Sequence, residues 1–240
     1  MPAIVEERIT LPSGPLRLTG VLSYPEQDRP THAVLLCSPH PHFAGDMDNN
    51  VIRAVAARLA HHSVVLRFDY RGVGDSEIAL EPGVSVFDYW TEIEESRDYH
   101  DAVADVNAAA QMLASATESL DVDFCVVGYS FGAAVGMLFG HKANAVKKMA
   151  ALAPPLGKIS FDFLSDCPKP SLHLVGRNDF LYSDDRLGSY RQTIGPAAQV
   201  LVLEDADHFF RGDEDKLACR VDQFLCGAHA ARDRGTAYEL

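Results

Sequence analysis

Short apolar runs punctuate this chain at intervals that suit strands, and the stretches between most of them carry the wider apolar spacing of helices. The first two runs, residues 4–11 and 16–24, flank the turn Pro12-Ser13-Gly14-Pro15 and predict an antiparallel hairpin at a sheet edge. Six further runs, 33–37, 63–68, 124–127, 146–152, 172–175 and 200–203, read as buried strands separated mainly by helical crossovers. Eight strands in this order predict an α/β fold: a mostly parallel, doubly wound sheet with ligands at its carboxyl edge. No linker-like composition or internal repeat divides the chain, so residues 1–228 are expected to form a single domain, with 229–240 as a flexible C-terminal tail.

Candidate chemistry gathers where these strands end. Gly128-Tyr129-Ser130-Phe131-Gly132 follows Phe124-Cys125-Val126-Val127 and precedes the small-residue stretch Ala133-Ala134-Val135-Gly136. A G-x-S-x-G at such a corner strains the serine and lifts its hydroxyl above the sheet edge, and the glycines let strand and helix approach closely. Alone, the motif is also an ordinary glycine-rich turn. A catalytic triad further needs an acid and then a histidine on later strand ends. Asp179 stands on the loop after 172–175 and His208 on the loop after 200–203, each about one strand-helix-strand step along. Singly, Asp179 reads as a turn former and His208 as a packed loop residue. Asp184 and Asp185 belong to a helix start, while Asp205 and Asp207 lie too near His208 in sequence to orient it from another strand.

A tetrahedral intermediate also needs backbone N–H donors. Phe131, the residue after the serine, is one expected donor. The other is expected from Ser38-Pro39-His40-Pro41-His42-Phe43-Ala44-Gly45. Proline has no N–H, so His42 is the expected second donor. His40, Tyr129 and Trp90 are candidate substrate-binding residues. Trp90 lies in the stretch 77–99, whose aromatics either cover the site or pack a helix onto the sheet.

With Cys37, Pro39, His40, Pro41, Gly45, Met47 and Asn49 in place, the chain resembles the small bacterial α/β-hydrolases, lidless serine esterase-like proteins with a Cys-His-Pro-His-Pro-x-x-Gly-Gly-x-Met-x-Asn loop. Further matches are Arg67-Phe68-Asp69-Tyr70-Arg71-Gly72-Val73-Gly74-Asp75-Ser76, Gly128 to Gly132, Asp179 and Asp207-His208-Phe209-Phe210, so the likeness covers residues 4–227. It departs at Ser38, Ala44 and Asp46. The resemblance implies an α/β-hydrolase fold and an esterase-like serine hydrolase, and it leaves ester, thioester or amide open. About nineteen residues separate the strand ending near 152 from the one starting near 172, too few for a lid domain.

The resulting expectation is a serine hydrolase that cleaves a small carboxylic ester or thioester through an acyl-enzyme. An acyl transferase or amidase on the same triad is an alternative, and a non-catalytic binding protein on the scaffold is one of another class. A complete triad favours the enzyme. Ser130 argues against a haloalkane dehalogenase, which needs Asp there, and a dienelactone hydrolase, which is expected to have Cys.

Composition narrows the partners. The net charge of −13 argues against nucleic acid or anionic membranes and gives at most weak steering toward neutral or cationic substrates. Five cysteines without C-x-x-C pairing, no signal peptide and no apolar stretch of ~18 residues suggest a cytoplasmic protein, monomer or homodimer, acting on a small-molecule acyl substrate. No cofactor is expected. His40-Pro41-His42 with Asp46 and Asp48 invites a metal, but a His-x-His pair needs a third ligand, so none is expected there. His61 and His62 follow a helix predicted over 47–60 and are expected to cap it.

Overall fold

The computed structural model describes residues 3–43 and 45–227; the expected tail at 229–240 lies outside them. Eight strands form one sheet: β1 (Ile4–Ser13), β2 (Leu16–Pro25), β3 (His32–Cys37), β4 (Ser63–Phe68), β5 (Asp123–Tyr129), β6 (Val146–Leu152), β7 (Ser171–Gly176) and β8 (Ala198–Leu203). Their order across the sheet is β1-β2-β4-β3-β5-β6-β7-β8. The first hairpin is antiparallel and joins β4 antiparallel, while every later pairing is parallel. Thus the strand order reverses beside β3, and the chain leaves β3 and β5 toward opposite faces of the sheet at the carboxyl edge.

Six helices cover the two faces: α1 (Asn50–Leu59), α2 (Val86–Ser96), α3 (His100–Ala116), α4 (Phe131–Lys142), α5 (Asp184–Thr193) and α6 (Glu214–Cys226). Strands β3, β4 and β7 are buried throughout, so alternate residues feed different cores. On one face Val34, Leu36 and Val65 pack under Val51, Val55 and Leu59 of α1 and Leu217, Val221 and Leu225 of α6. On the other, Leu35, Leu66 and Val126 meet α3, α4 and α5 through residues such as Val106, Val135 and Leu187. The fold is therefore the doubly wound one.

The predicted helix over 47–60 starts later than expected, at Asn50, because the Asn49 side chain accepts a hydrogen bond from the Val51 N–H at 3.0 Å. His62 does more than end this helix. Its Nε2 lies 2.9 Å from Asp222 Oδ1 on α6, and Arg58 Nε donates to Asp222 Oδ2 at 2.6 Å, so α1 and α6 are joined by charge beneath their apolar contact. Helix α2 is opened by a capping box between Ser85 and Asp88 and closed by Arg97 in the left-handed region, φ 58°.

Several buried histidines tie stability to pH. His173 on β7 is enclosed between Ser171 Oγ, 2.9 Å from Nε2, and Tyr190 Oη, 2.6 Å from Nδ1. Burial pushes the imidazoles of His173 and His40 down from 6.5 to about 4, and it lowers His32 as well. Between pH 6.5 and about 4 the unfolded chain therefore binds protons that the folded chain refuses, and stability falls on acidification. Asp69 runs the other way: burial raises it from 3.8 to about 6, so the folded chain binds its proton first. Three histidines outweigh one carboxyl, so thermal melts are expected to show the melting temperature falling steadily from pH 6.5 to 4. A rise over that interval would show the histidines already charged in the fold.

Candidate active site

Ser130 sits between the end of β5 and the start of α4 with φ 54° and ψ −115°, a conformation costly for any side chain. Two hydrogen bonds hold it: the Ser130 N–H donates to Leu152 O at 2.8 Å, and Ser130 O accepts from the Ala133 N–H at 3.0 Å. The flanking glycines answer to close approach. A Cβ on Gly128 would strike the Gly132 carbonyl, and one on Gly132 would strike the carbonyls of Cys37 and Ser38. The second contact packs the start of α4 against the loop leaving β3.

The loops after β7 and β8 bring the other two groups. Arg177 and Asn178 donate backbone N–H bonds to Leu203 and Ala206 at 2.9 and 3.0 Å, which locks the loops together. Asp179 Oδ1 accepts from the Leu181 N–H at 2.7 Å, leaving Oδ2 2.6 Å from His208 Nδ1. A carboxylate only accepts, so Nδ1 carries the proton and Nε2 presents a lone pair. That Nε2 lies 3.1 Å from Ser130 Oγ. The chain of hydrogen bonds Asp179–His208–Ser130 is thus continuous, and Tyr129 Oη steadies its middle by donating to His208 O at 2.9 Å. Asp179 and His208 are both buried.

A cavity of about 440 Å³ opens over Ser130. Its walls include His40, Tyr129, Phe131, Tyr99, Leu181 and His208, with Arg97, Lys158 and Glu94 around it. Of the three residues expected to bind substrate, His40 and Tyr129 line this space. Trp90 does not, and that expectation is corrected. Trp90 is fully buried, its indole N–H donates to Arg71 O at 3.3 Å, and its ring packs edge-on to His40, Tyr70 and Phe131. It is the large apolar core of α2, and burying that area is worth more than exposing it to a ligand.

The second correction concerns His42. Its backbone N–H donates to His40 Nδ1 at 3.2 Å, and its side chain stacks on Phe87 at 4.2 Å while Nε2 donates to Phe87 O at 2.9 Å. A donor spent on a neighbouring imidazole is not aimed at the cavity. The torsions of a one-turn 3-10 helix at Pro41–Phe43 set this direction. Donor atoms of His40, His42 and Glu94 do lie within 4.8 Å of one another. The two hydrogen bonds just described engage Nδ1 of His40 and Nε2 of His42, and burial keeps His40 neutral by lowering its pKa to about 4.

Sequence reasoning missed Phe180, Phe209, Arg97 and Lys158 around the cavity. Phe180 and Phe209 flank the His208 ring at centroid distances of 4.6 and 5.5 Å. A signal existed: each follows directly after the acid or the histidine in sequence. Arg97 and Lys158 carry no spacing signal, because they reach the site from the ends of unrelated segments.

Among the described residues all five cysteines are unpaired, and no helix is long and apolar enough to cross a membrane. An uncharacterized protein of Rickettsia prowazekii, RP471, is 28% identical over 202 residues, covering 80% of this chain and 77% of that one. The structure is similar to an alpha-beta serine hydrolase homologue from Coxiella burnetii, with TM-score 0.76, 22% identity, and coverage of 94% of this chain and 98% of that one. It is also similar to XC6422 from Xanthomonas campestris, a serine hydrolase without a lid, with TM-score 0.72, 23% identity, and coverage of 97% and 96%. These likenesses carry the fold. Between β6 and β7 this chain has only a one-turn 3-10 helix, Asp162–Leu164, and no lid domain. Residues 47–178, more than half of the chain and including the serine corner and the loop up to Asp179, match the family Hydrolase_4, described as "Serine aminopeptidase, S33", so the chain belongs to this α/β-hydrolase family.

Proposed function

We propose that this protein is a serine hydrolase that cleaves small carboxylic esters or thioesters through an acyl-enzyme. The observation that carries the reading is the unbroken hydrogen-bond chain Asp179–His208–Ser130 at the floor of an open cavity. His208 Nε2 takes the Ser130 proton as Oγ attacks the acyl carbonyl carbon. Asp179 holds the tautomer and stabilises the imidazolium. The imidazolium then returns its proton to the leaving oxygen or sulfur, the acyl group stays on Oγ, and water repeats the cycle to release the acid.

The oxyanion needs donors that point into the cavity. Phe131 is the first residue of α4, so its N–H has no partner within the helix. Of the residues on the loop after β3, Ser38 is fully buried, Pro39 and Pro41 have no N–H, and the N–H groups of His42 and Phe43 both donate to His40. His40 lines the cavity, and we assign its backbone N–H as the second donor. The neutral His40 ring then acts as a positioning group: by accepting from the His42 N–H it fixes the turn that aims its own N–H.

Purified protein is expected to hydrolyse p-nitrophenyl butyrate and short acyl thioesters, and a fluorophosphonate is expected to label it at Ser130. A folded sample that neither turns over nor takes the label overturns the proposal.

A further inference from the structure

The active-site cavity does not end at its own walls. Arg97, Tyr99 and Ile159 also line a second, wider cleft of about 810 Å³, which continues past Asn107 to Lys142 and Phe163. The two spaces therefore adjoin at these three shared residues, and the trough is the pair of them, His208 lining only the first. Its charge is unlike that of the rest of the molecule. The chain has 34 acidic and 21 basic residues, and six of its fifteen arginines, Arg8, Arg17, Arg58, Arg67, Arg71 and Arg177, each have an acidic partner. Along the trough Arg97, Lys142 and Lys158 make no side-chain hydrogen bond or ion pair with any described residue. The carboxylates nearby are Glu94 and Asp98, and Asp98 is partly used, accepting from the His100 N–H at 3.1 Å. Arg97 also holds a left-handed backbone, φ 58°, at the junction of the two spaces, a conformation that costs energy in a residue with a side chain. Three cations against two carboxylates leave the lining net positive in a strongly acidic protein, which suits an anion.

Direction follows from the proton transfer. His208 must reach the leaving atom, so the leaving group lies on its side of Ser130, where the rings of Phe180 and Phe209 stand 4.6 and 5.5 Å from the imidazole. Both rings are open to solvent, at 67% and 38% exposure, and they offer an apolar seat. The acyl part must then point the other way, past Phe131 and Tyr99 toward Arg97. Resting on the hydrolase reading above, we propose that the preferred substrate is an ester of an apolar alcohol whose acyl chain ends in an anionic group, a carboxylate or a phosphate, held by Arg97 and Lys142. This local field opposes the weak preference for neutral or cationic ligands expected from net charge alone.

The test compares benzyl butyrate with benzyl half-esters of dicarboxylic acids from glutarate to suberate, at low and high salt. A benzyl ester with a phosphonate-ended acyl arm, included alongside, tells phosphate from carboxylate. The best anionic ester is expected to exceed the neutral one in kcat/KM by roughly fivefold or more, an advantage that high salt removes. In Arg97→Gln/Lys142→Glu protein the ratio is expected to fall to one or below. Equal rates for neutral and anionic esters, or a preference indifferent to salt, overturn the anion subsite and leave the hydrolase standing. If that variant does not fold, the salt dependence of the unaltered protein still decides. Failure to cleave any ester, benzyl butyrate included, overturns both readings.

Discussion

Ser130→Ala protein is expected to lose ester turnover by a factor of about 10⁴ to 10⁶ while keeping its melting temperature near that of the parent. The size follows from the arrangement. The Ser130 hydroxyl meets only His208 Nε2, at 3.1 Å, so removing it leaves the imidazole with nothing to deprotonate and costs no other contact. The corner itself persists, because Leu152 and Ala133 hold it through the backbone. Asp179→Asn is expected to lose about 10⁴-fold, since an amide can present an N–H to His208 Nδ1 and turn the wrong nitrogen toward the serine. Combining Ser130→Ala with His208→Ala should lose little more than either alone, because the groups act as one unit. The measurement is initial-rate kinetics on p-nitrophenyl butyrate beside a thermal melt. Retained turnover in Ser130→Ala would place the nucleophile elsewhere.

Trp90→Ala is expected to cost about 3–5 kcal/mol of stability, in the upper range for large-to-small core changes. The ring is wholly enclosed, with Tyr89, His40, Tyr70 and Phe131 at centroid distances of 5.5, 5.7, 5.9 and 6.0 Å. A cavity there cannot collapse easily, since its neighbours belong to four separate segments. For a chain of this size the melting temperature should drop by roughly 6–20 °C, and urea unfolding should show the midpoint shift. Activity per folded molecule should fall too, because His40 and Phe131, whose N–H groups are assigned to the oxyanion, both lean on this ring. A loss under about 1 kcal/mol with unchanged kcat/KM would show that α2 packs without it.

The parts that sequence made legible are those governed by local pattern. Ser63–Phe68 and Val146–Leu152 begin and end where the sequence runs do, because a short apolar-rich run between turn residues suits a strand, buried throughout in the first and from Met149 onward in the second. Ser130 was legible for the same reason: two glycines at fixed offsets report a steric need that the fold then shows. What the pattern could not carry is direction. The His42 N–H turns to His40 within a three-residue turn, and Trp90 faces inward because α2 lays its buried side on His40, Tyr70 and Phe131. Neither depends on composition or spacing. The charged trough was hidden for another reason, since Arg97, Lys142 and Lys158 come together only through tertiary packing of helix ends and a loop.

Strand order has a consequence for the newborn chain. The serine corner is framed by β3, β5 and β6, all synthesised by residue 152, whereas the acid and the histidine arrive with β7 and β8 at the far side of the sheet. On the proposed triad, a chain halted on the ribosome short of residue 208 carries the serine without the imidazole that would take its proton. On that reading reactivity waits for the loop after β8.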